Sequence, residues 1–214
     1  ILMESAWQTL ENAGITANKV AGSSTGVFVG ASGSDYCWVM ERVGIPIEAH
    51  VATGTSLAAL ANRISYFFDL RGPSIVIDTA CSSSLMAVHQ AVQSIRAGEC
   101  LQALVGGIHI MSHPANSIAY YKAGMLAHDG KCKTFDDRAD GYVRSEGAVM
   151  LLLKQLHQAE ADGDLIYATI KGSASNHGGQ SAGLTVPNPQ QQAALLTNAW
   201  KASGVDPNTI SFIE

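Results

Sequence analysis

Charge is scarce in this sequence. Only 14% of its 214 residues are Asp, Glu, Lys or Arg, against about 25% in an average soluble domain. That shortage implies a surface largely covered, by further chain or by a second copy. The net charge of −5 gives no general pull toward nucleic acid or anionic membrane. Long hydrophobic runs are missing too. The longest, Ala148 to Leu153, falls far short of the roughly 20 residues a membrane-spanning helix needs. No basic segment precedes an apolar core at the start, so no secretory leader is visible. Cys37, Cys81, Cys100 and Cys132 are scattered, with no Cys-x-x-Cys pair. That spacing excludes a zinc site and a dense disulfide scaffold, and it points to a reducing, cytoplasmic setting. Metal-like histidine spacing occurs only at His109 and His113. They follow a strand and precede Pro114, and no carboxylate cluster is near, so no metal is expected. Nor does Gly-x-Gly-x-x-Gly follow the strand Val27 to Val29, so no dinucleotide fingerprint is present.

What is there is apolar residue, 47% of the chain, distributed in alternating helix-like and strand-like segments. This is an α/β signature. Leu2, Ala6, Leu10 and Ala13 share one helical face that Gly14 can stop. Gly26 to Gly30 reads as a short buried strand, followed by a Gly/Ser loop and a helix or turn near Trp38. Thr55 to Phe68 reads as one helix, and Ile75 to Ile77 as a buried strand. A helix opening at Ser82-Ser83-Ser84 has Leu85, Val88, Val92 and Ile95 on its inner face and Gly98 past its end. Ala103 to Val105 is a further strand. Ala148 to Leu153 reads as a strand covered on both faces, and Tyr167 to Gly172 and Ile210 to Glu214 read as two more. Asn188 can cap a helix with Pro189 at its first position, running to Gly204. Both ends read as severed elements.

The strongest local signal is Asp78-Thr79-Ala80-Cys81-Ser82-Ser83-Ser84-Leu85. It sets a cysteine at a strand-to-helix junction. N–H groups of a helix's first turn lack intrahelical partners and the dipole is positive there. Both favour the thiolate and can receive a developing oxyanion. A free cysteine is ordinarily inert core, so the junction alone does not decide the matter. Asp78 reads as a brace for it. Arg144 and Glu146, two apart in an extended segment, read as an ion pair. Gly106-Gly107 and Gly178-Gly179 read as tight turns or close backbone approaches. His177 reads as loop-shaping.

These blocks resemble the β-ketoacyl synthase (ketosynthase) family of the thiolase superfamily. Gly72-Pro73-Ser74 leading to Asp78 through Ser84 is similar to the family's nucleophile block. Phe135-Asp136 with Arg138 through Gly147 resembles the form found in modular type I polyketide synthases. Ser173 to Asn188, with Asn176-His177-Gly178-Gly179 and Leu184-Thr185-Val186-Pro187-Asn188, also resembles that group, and the Asn-His-Gly-Gly form is similar to ketosynthases of assembly lines that lack built-in acyltransferases. The resemblance covers essentially the whole chain. It implies a thiolase-like layered α-β-α-β-α architecture, incomplete here. Residues 1–214 would be a partial ketosynthase domain: about 1–155 an N-terminal half lacking its first strand, about 156–214 the beginning of a C-terminal half.

It also implies the chemistry. Cys81 would be the nucleophile, taking an acyl chain from a carrier-protein phosphopantetheine thioester. Decarboxylative condensation with a malonyl-type thioester would give a β-ketoacyl product. No bound cofactor is implied, and the full domain would be a homodimer. The family's two histidines lie in His-Gly-Thr-Gly-Thr and Asn-Ile-Gly-His blocks, neither of which occurs here. The first would follow Phe212-Ile213-Glu214, so the segment alone is expected to be inactive. The alternative is a non-elongating, gatekeeping ketosynthase-like domain. A hydrolase is disfavoured because the junction lacks the Gly-x-Ser-x-Gly elbow. A thiolase or chalcone-synthase-like enzyme is disfavoured by the Arg138 to Gly147 block.

Overall fold

Val27, Phe28 and Val29 are β-branched or aromatic and flanked by Gly26 and Gly30, a pattern suited to a strand buried on both faces. In the computed structural model, which describes residues 1–214, they form the middle of a four-stranded sheet ordered β2-β1-β3-β4. The strands are β1 (Thr25–Gly30), β2 (Ser74–Ile77), β3 (Gln102–His109) and β4 (Gly147–Lys154). β1 runs parallel to both β2 and β3, with Val27 opposite Ser74 on one side and Leu104 on the other.

The helices are α1 (Leu2–Asn12), α2 (Ala17–Val20), α3 (Tyr36–Val43), α4 (Ala49–Thr55), α5 (Ala58–Phe67), α6 (Ser83–Ala97), α7 (Ala115–Lys122), α8 (Leu156–Asp162) and α9 (Pro189–Ser203). Alternation along the strands divides the core in two. Val27, Val29 and Leu104 face α1 and α5, packing with Leu2, Leu10 and Ile64. Phe28, Ala103 and Val105 face α6, packing with Ala87, Ala91 and Ile95. Helices on both faces of a parallel sheet satisfy its two apolar sides. Parallel strands need such crossovers, and here α5 and α6 lie on opposite faces. The crevice at the carboxyl ends of the strands is where such sheets place their ligands.

The chain divides into two units, Ile1–Leu153 and Lys154–Glu214. In the second, α8 ends at Gly163, and Lys154 pairs with Asp162 and Asp164. The expected cap of α9 is present: Asn188 Oδ1 accepts from the Gln190 and Gln191 N–H groups, and Gly204 closes the helix at φ 64°.

Other expectations need correction. The segment read as one helix from Thr55 to Phe68 is two, because α4 stops at Thr55, Ser56 is extended and α5 starts at Ala58. Leu85 points outward at 75% exposure, since small residues Ala87 and Ala91 take the inner face of α6 and let it approach the sheet. β2 is an edge strand with Ile75 44% exposed, and β4 is the opposite edge with Val149 62% exposed; neither is covered on both faces. Tyr167–Gly172 and Ile210–Glu214 form no strands. Their residues favour strands, but a strand exists only where a neighbour completes its ladder.

Candidate functional site

β1 ends in a glycine, and β3 carries one two residues before its end, for a steric reason. A Cβ at Gly30 would lie 2.4 Å from the Ser84 backbone nitrogen, and one at Gly107 would lie 2.8 Å from Ser84 Cβ. Side chains there would expel α6. Without them its first turn sits directly on the carboxyl edge of the sheet.

Between β2 and α6 the chain reverses within a few residues. Ala80 adopts φ 55°, a left-handed conformation costly for a residue with a Cβ. Polar groups hold it. Asp78 Oδ1 accepts the Ala80 N–H at 3.0 Å, and Ser83 Oγ accepts the Thr79 N–H at 2.9 Å while donating to the Ala80 carbonyl at 2.6 Å. Ser82 occupies the cap position of α6, yet its hydroxyl turns back to Thr79. A single 3₁₀ turn, Ala80–Ser82, carries Cys81. The thiol is exposed, whereas Cys100 is buried; inert packing describes the second cysteine and not the first.

A polar and aromatic cluster lies within electrostatic reach of this thiol. Partial burial pushes the Tyr142 hydroxyl above its ordinary value; Tyr120 adds to the shift, Arg144 opposes it, and Cys81 adds a smaller push. Gly141 places Tyr142. The Tyr142 N–H donates to the Met125 carbonyl, and the Tyr142 carbonyl accepts from the Ala127 N–H, both at 3.0 Å. A Cβ at Gly141 would come within 2.5 Å of the Ala127 nitrogen. The preceding loop is tied by Lys133, which pairs with Asp129 at 3.0 Å and Asp140 at 2.6 Å. Arg138 pairs with Asp136 at 2.6 Å.

Arg144 and Glu146 do not pair. Glu146 Oε1 accepts the Met111 N–H at 2.6 Å. Arg144 donates from Nη1 to Ser117 Oγ at 2.6 Å, and its guanidinium carbon lies 5.3 Å from the centroid of the Tyr120 ring. The Tyr120 and Tyr142 rings are 6.5 Å apart. His109 closes the group. Its Nδ1 is 2.7 Å from the Ser145 carbonyl, which can only accept, so that nitrogen carries the proton. Nε2 is then the acceptor for Arg144 Nη2 at 3.2 Å.

Residues 1–159 match the family model for the β-ketoacyl synthase N-terminal domain, and residues 167–214 match that for the C-terminal domain. This chain belongs to the β-ketoacyl synthase family. The polyketide synthase PksN of Bacillus subtilis is 46% identical over 214 residues, covering 100% of this chain and 4% of that protein. The polyketide synthase ThaG of Burkholderia thailandensis is 42% identical over 214 residues, again covering 100% of this chain and 4% of that protein. The ketosynthase from module 6 of the Bacillus subtilis bacillaene synthase aligns with a TM-score of 0.90 at 39% identity, over 100% of this chain and 36% of that one. The Streptomyces albus oxazolomycin ketosynthase domain OzmH KS7 aligns at 0.89 with 41% identity, over 96% and 35%. The chain thus spans about a third of these solved ketosynthases and a small fraction of those two synthases.

The fold is therefore the thiolase-like α/β fold of the ketosynthases, and in this chain one flanked sheet of it is formed. Asp78 braces the junction as its position suggested. His109 and His113 do not face a common centre: the first bonds Ser145 and Arg144, the second lies edge-on to Trp38. His177 accepts the Gly179 N–H at 2.9 Å, shaping its own loop. That loop lines a cavity of about 280 Å³ in the second unit with Ser181, Asn188 and Gln191, while a cavity of about 410 Å³ lies against Met3, Trp7 and Phe67; neither contains Cys81. What residue-by-residue reading missed is the ketosynthase's cluster of His109, Ser117, Tyr120, Tyr142 and Arg144. Its signal was Gly141, the one residue that lets Tyr142 lie against Leu126.

No helix of the chain is long and apolar enough to cross a membrane.

Proposed function

We propose that Cys81 is the acyl-accepting nucleophile of a polyketide-type ketosynthase. The observation that carries this reading is an exposed thiol held on a strained, hydrogen-bonded turn between β2 and α6. The sulfur attacks the carbonyl of an acyl thioester on a carrier protein's phosphopantetheine arm. A new C–S bond forms, and the pantetheine thiol leaves with a proton. The positive end of α6 lies next to the carbon where negative charge develops on oxygen. A malonyl-type thioester then loses carbon dioxide, and its carbanion attacks the acyl-cysteine. A carbon–carbon bond forms, the β-ketoacyl chain departs on the carrier, and the Cys81 thiolate is released.

This reading places the two assisting histidines outside residues 1–214, so these residues alone do not condense. It makes residues 1–155 the larger part of an N-terminal half-domain and 156–214 the opening of a C-terminal one. The working enzyme is a cytoplasmic homodimer served by an acyl carrier protein, with no bound cofactor of its own. The Asn176-His177-Gly178-Gly179 form supports membership of an assembly line without built-in acyltransferases.

Intact-mass analysis of the full-length protein tests the reading. An acyl-pantetheine thioester should add one acyl mass to the wild type and none to Cys81→Ala. No gain on the wild type, or equal gain on both, would sink it. Added malonyl-pantetheine should then release a β-ketoacyl thioester; loading without that product would mark a non-elongating domain.

A further inference from the structure

Arg144 lacks what a half-buried arginine ordinarily has, a carboxylate. The nearest acid in sequence, Glu146, is occupied by the Met111 N–H. Arg144 instead gathers neutral groups from three segments: His109 at the end of β3, Ser117 and Tyr120 on α7, and, through His109, the Ser145 carbonyl of its own loop. A planar fork can serve an imidazole nitrogen and a hydroxyl at once while stacking on a ring; an ammonium cannot. The cluster meets the cysteine turn through β3: His109 stands two residues past Gly107, where a Cβ would lie 2.8 Å from Ser84 Cβ in the first turn of α6. On its other side, the Tyr120 ring lies 6.5 Å from that of Tyr142.

We propose that Arg144 is a positioning residue for acyl transfer, locking the end of β3, α7 and the Tyr142 segment into one frame beside Cys81. This rests on the reading of Cys81 as the acyl-accepting nucleophile. The contribution is geometric. Arg144 does not touch the sulfur, and it leaves the chemistry of the thiol to the β2–α6 turn. What it sets is the wall against which an incoming thioester lies. A misplacement of about 1 Å in such a wall can cost on the order of 100-fold in rate.

Two reactions of the same sulfur separate these roles. Iodoacetamide is small and reads only the accessibility and reactivity of the thiol. An acyl-pantetheine thioester must also be held in register. In the full-length protein, Arg144→Lys and Arg144→Ala should each slow Cys81 acylation by about 10- to 100-fold. Alkylation of Cys81 should change by no more than about twofold. Methylguanidinium should restore part of the acylation rate to Arg144→Ala and none to Arg144→Lys, whose ammonium blocks the site. Should Arg144→Ala fail to fold, the lysine variant decides by the ratio of the two rates.

Acylation unchanged in a folded variant overturns the proposal. So does a parallel fall of acylation and alkylation without rescue, which marks Arg144 as a support of the fold and no more. Absence of Cys81 acylation in the wild type is a different failure, since it overturns the assignment of the nucleophile on which this one stands.

Discussion

The two units of the chain have similar apolar segments and very different interiors. Between Ile1 and Leu153, residues such as Val27, Ile64, Leu104 and Phe28 are shielded almost completely. Between Lys154 and Glu214, Ala159 is the one buried residue, while Tyr167, Leu184 and Phe212 lie open. Hydrophobicity alone does not explain this. The first unit has strands that complete one another's ladders, and helices α5 and α6 then seal both faces. In the second, strand-forming residues such as Tyr167 to Ile170 have no paired neighbour, so their apolar side chains have no sheet to stand on.

This contrast can be broken by substitution, and the largest effect belongs to the shielded core. Ile64→Ala should cost about 2–5 kcal/mol of unfolding free energy by chemical denaturation. Leu184→Ala, in the open unit, should stay within about 0.5 kcal/mol. Equal losses would show that the second unit contributes a core of its own. Next is Gly30→Ala, whose methyl group meets the backbone of Ser84. It should cost about 2–3 kcal/mol, and it should slow Cys81 acylation because the elbow moves with α6. A smaller effect sharpens the view of the second unit. Asn188→Ala removes the acceptor for two N–H groups at the start of α9, and a loss of about 1 kcal/mol is expected, visible in helical circular dichroism.

The smallest effect concerns the loop that carries Tyr142. Lys133 holds the Asp129 carboxyl below its ordinary 3.8, and Arg138 holds Asp136 well below that value. Folding therefore favours their charged forms. The stabilisation is present above the ordinary carboxylate range and is lost as pH falls through the lowered values. Lys133 is shifted the opposite way, chiefly by Asp140, so its contribution holds through neutral pH and disappears only in strong alkali. Acid should raise hydrogen exchange across residues 129–140 while leaving β1 and β3 protected. Because these groups are solvated, the change should be slight and salt-sensitive.

Much of this arrangement is legible in the order of residues. The helix at Leu2, the strand at Val27, the cap at Asn188 and the cysteine elbow follow from short-range chemistry: periodicity, β-branching, side-chain capping and a strand-to-helix switch. The departures share a cause. Helical spacing assigns Leu85 inward, yet the face of α6 is chosen by how closely the sheet can be approached, and Ala87 and Ala91 allow the nearer approach. Proximity along the chain pairs Arg144 with Glu146, yet their partners come from β3, α7 and the segment between them, 27 and 35 residues away in the chain.

Sequence by itself determined the α/β character, the family and the position of the exposed thiol, since each depends on local order along the chain. Tertiary structure decided which apolar segments became strands, which face α6 buried, and which neutral groups gather around Arg144 beside Tyr142. Those outcomes depend on partners distant in sequence, and only the packed sheet brings them within reach.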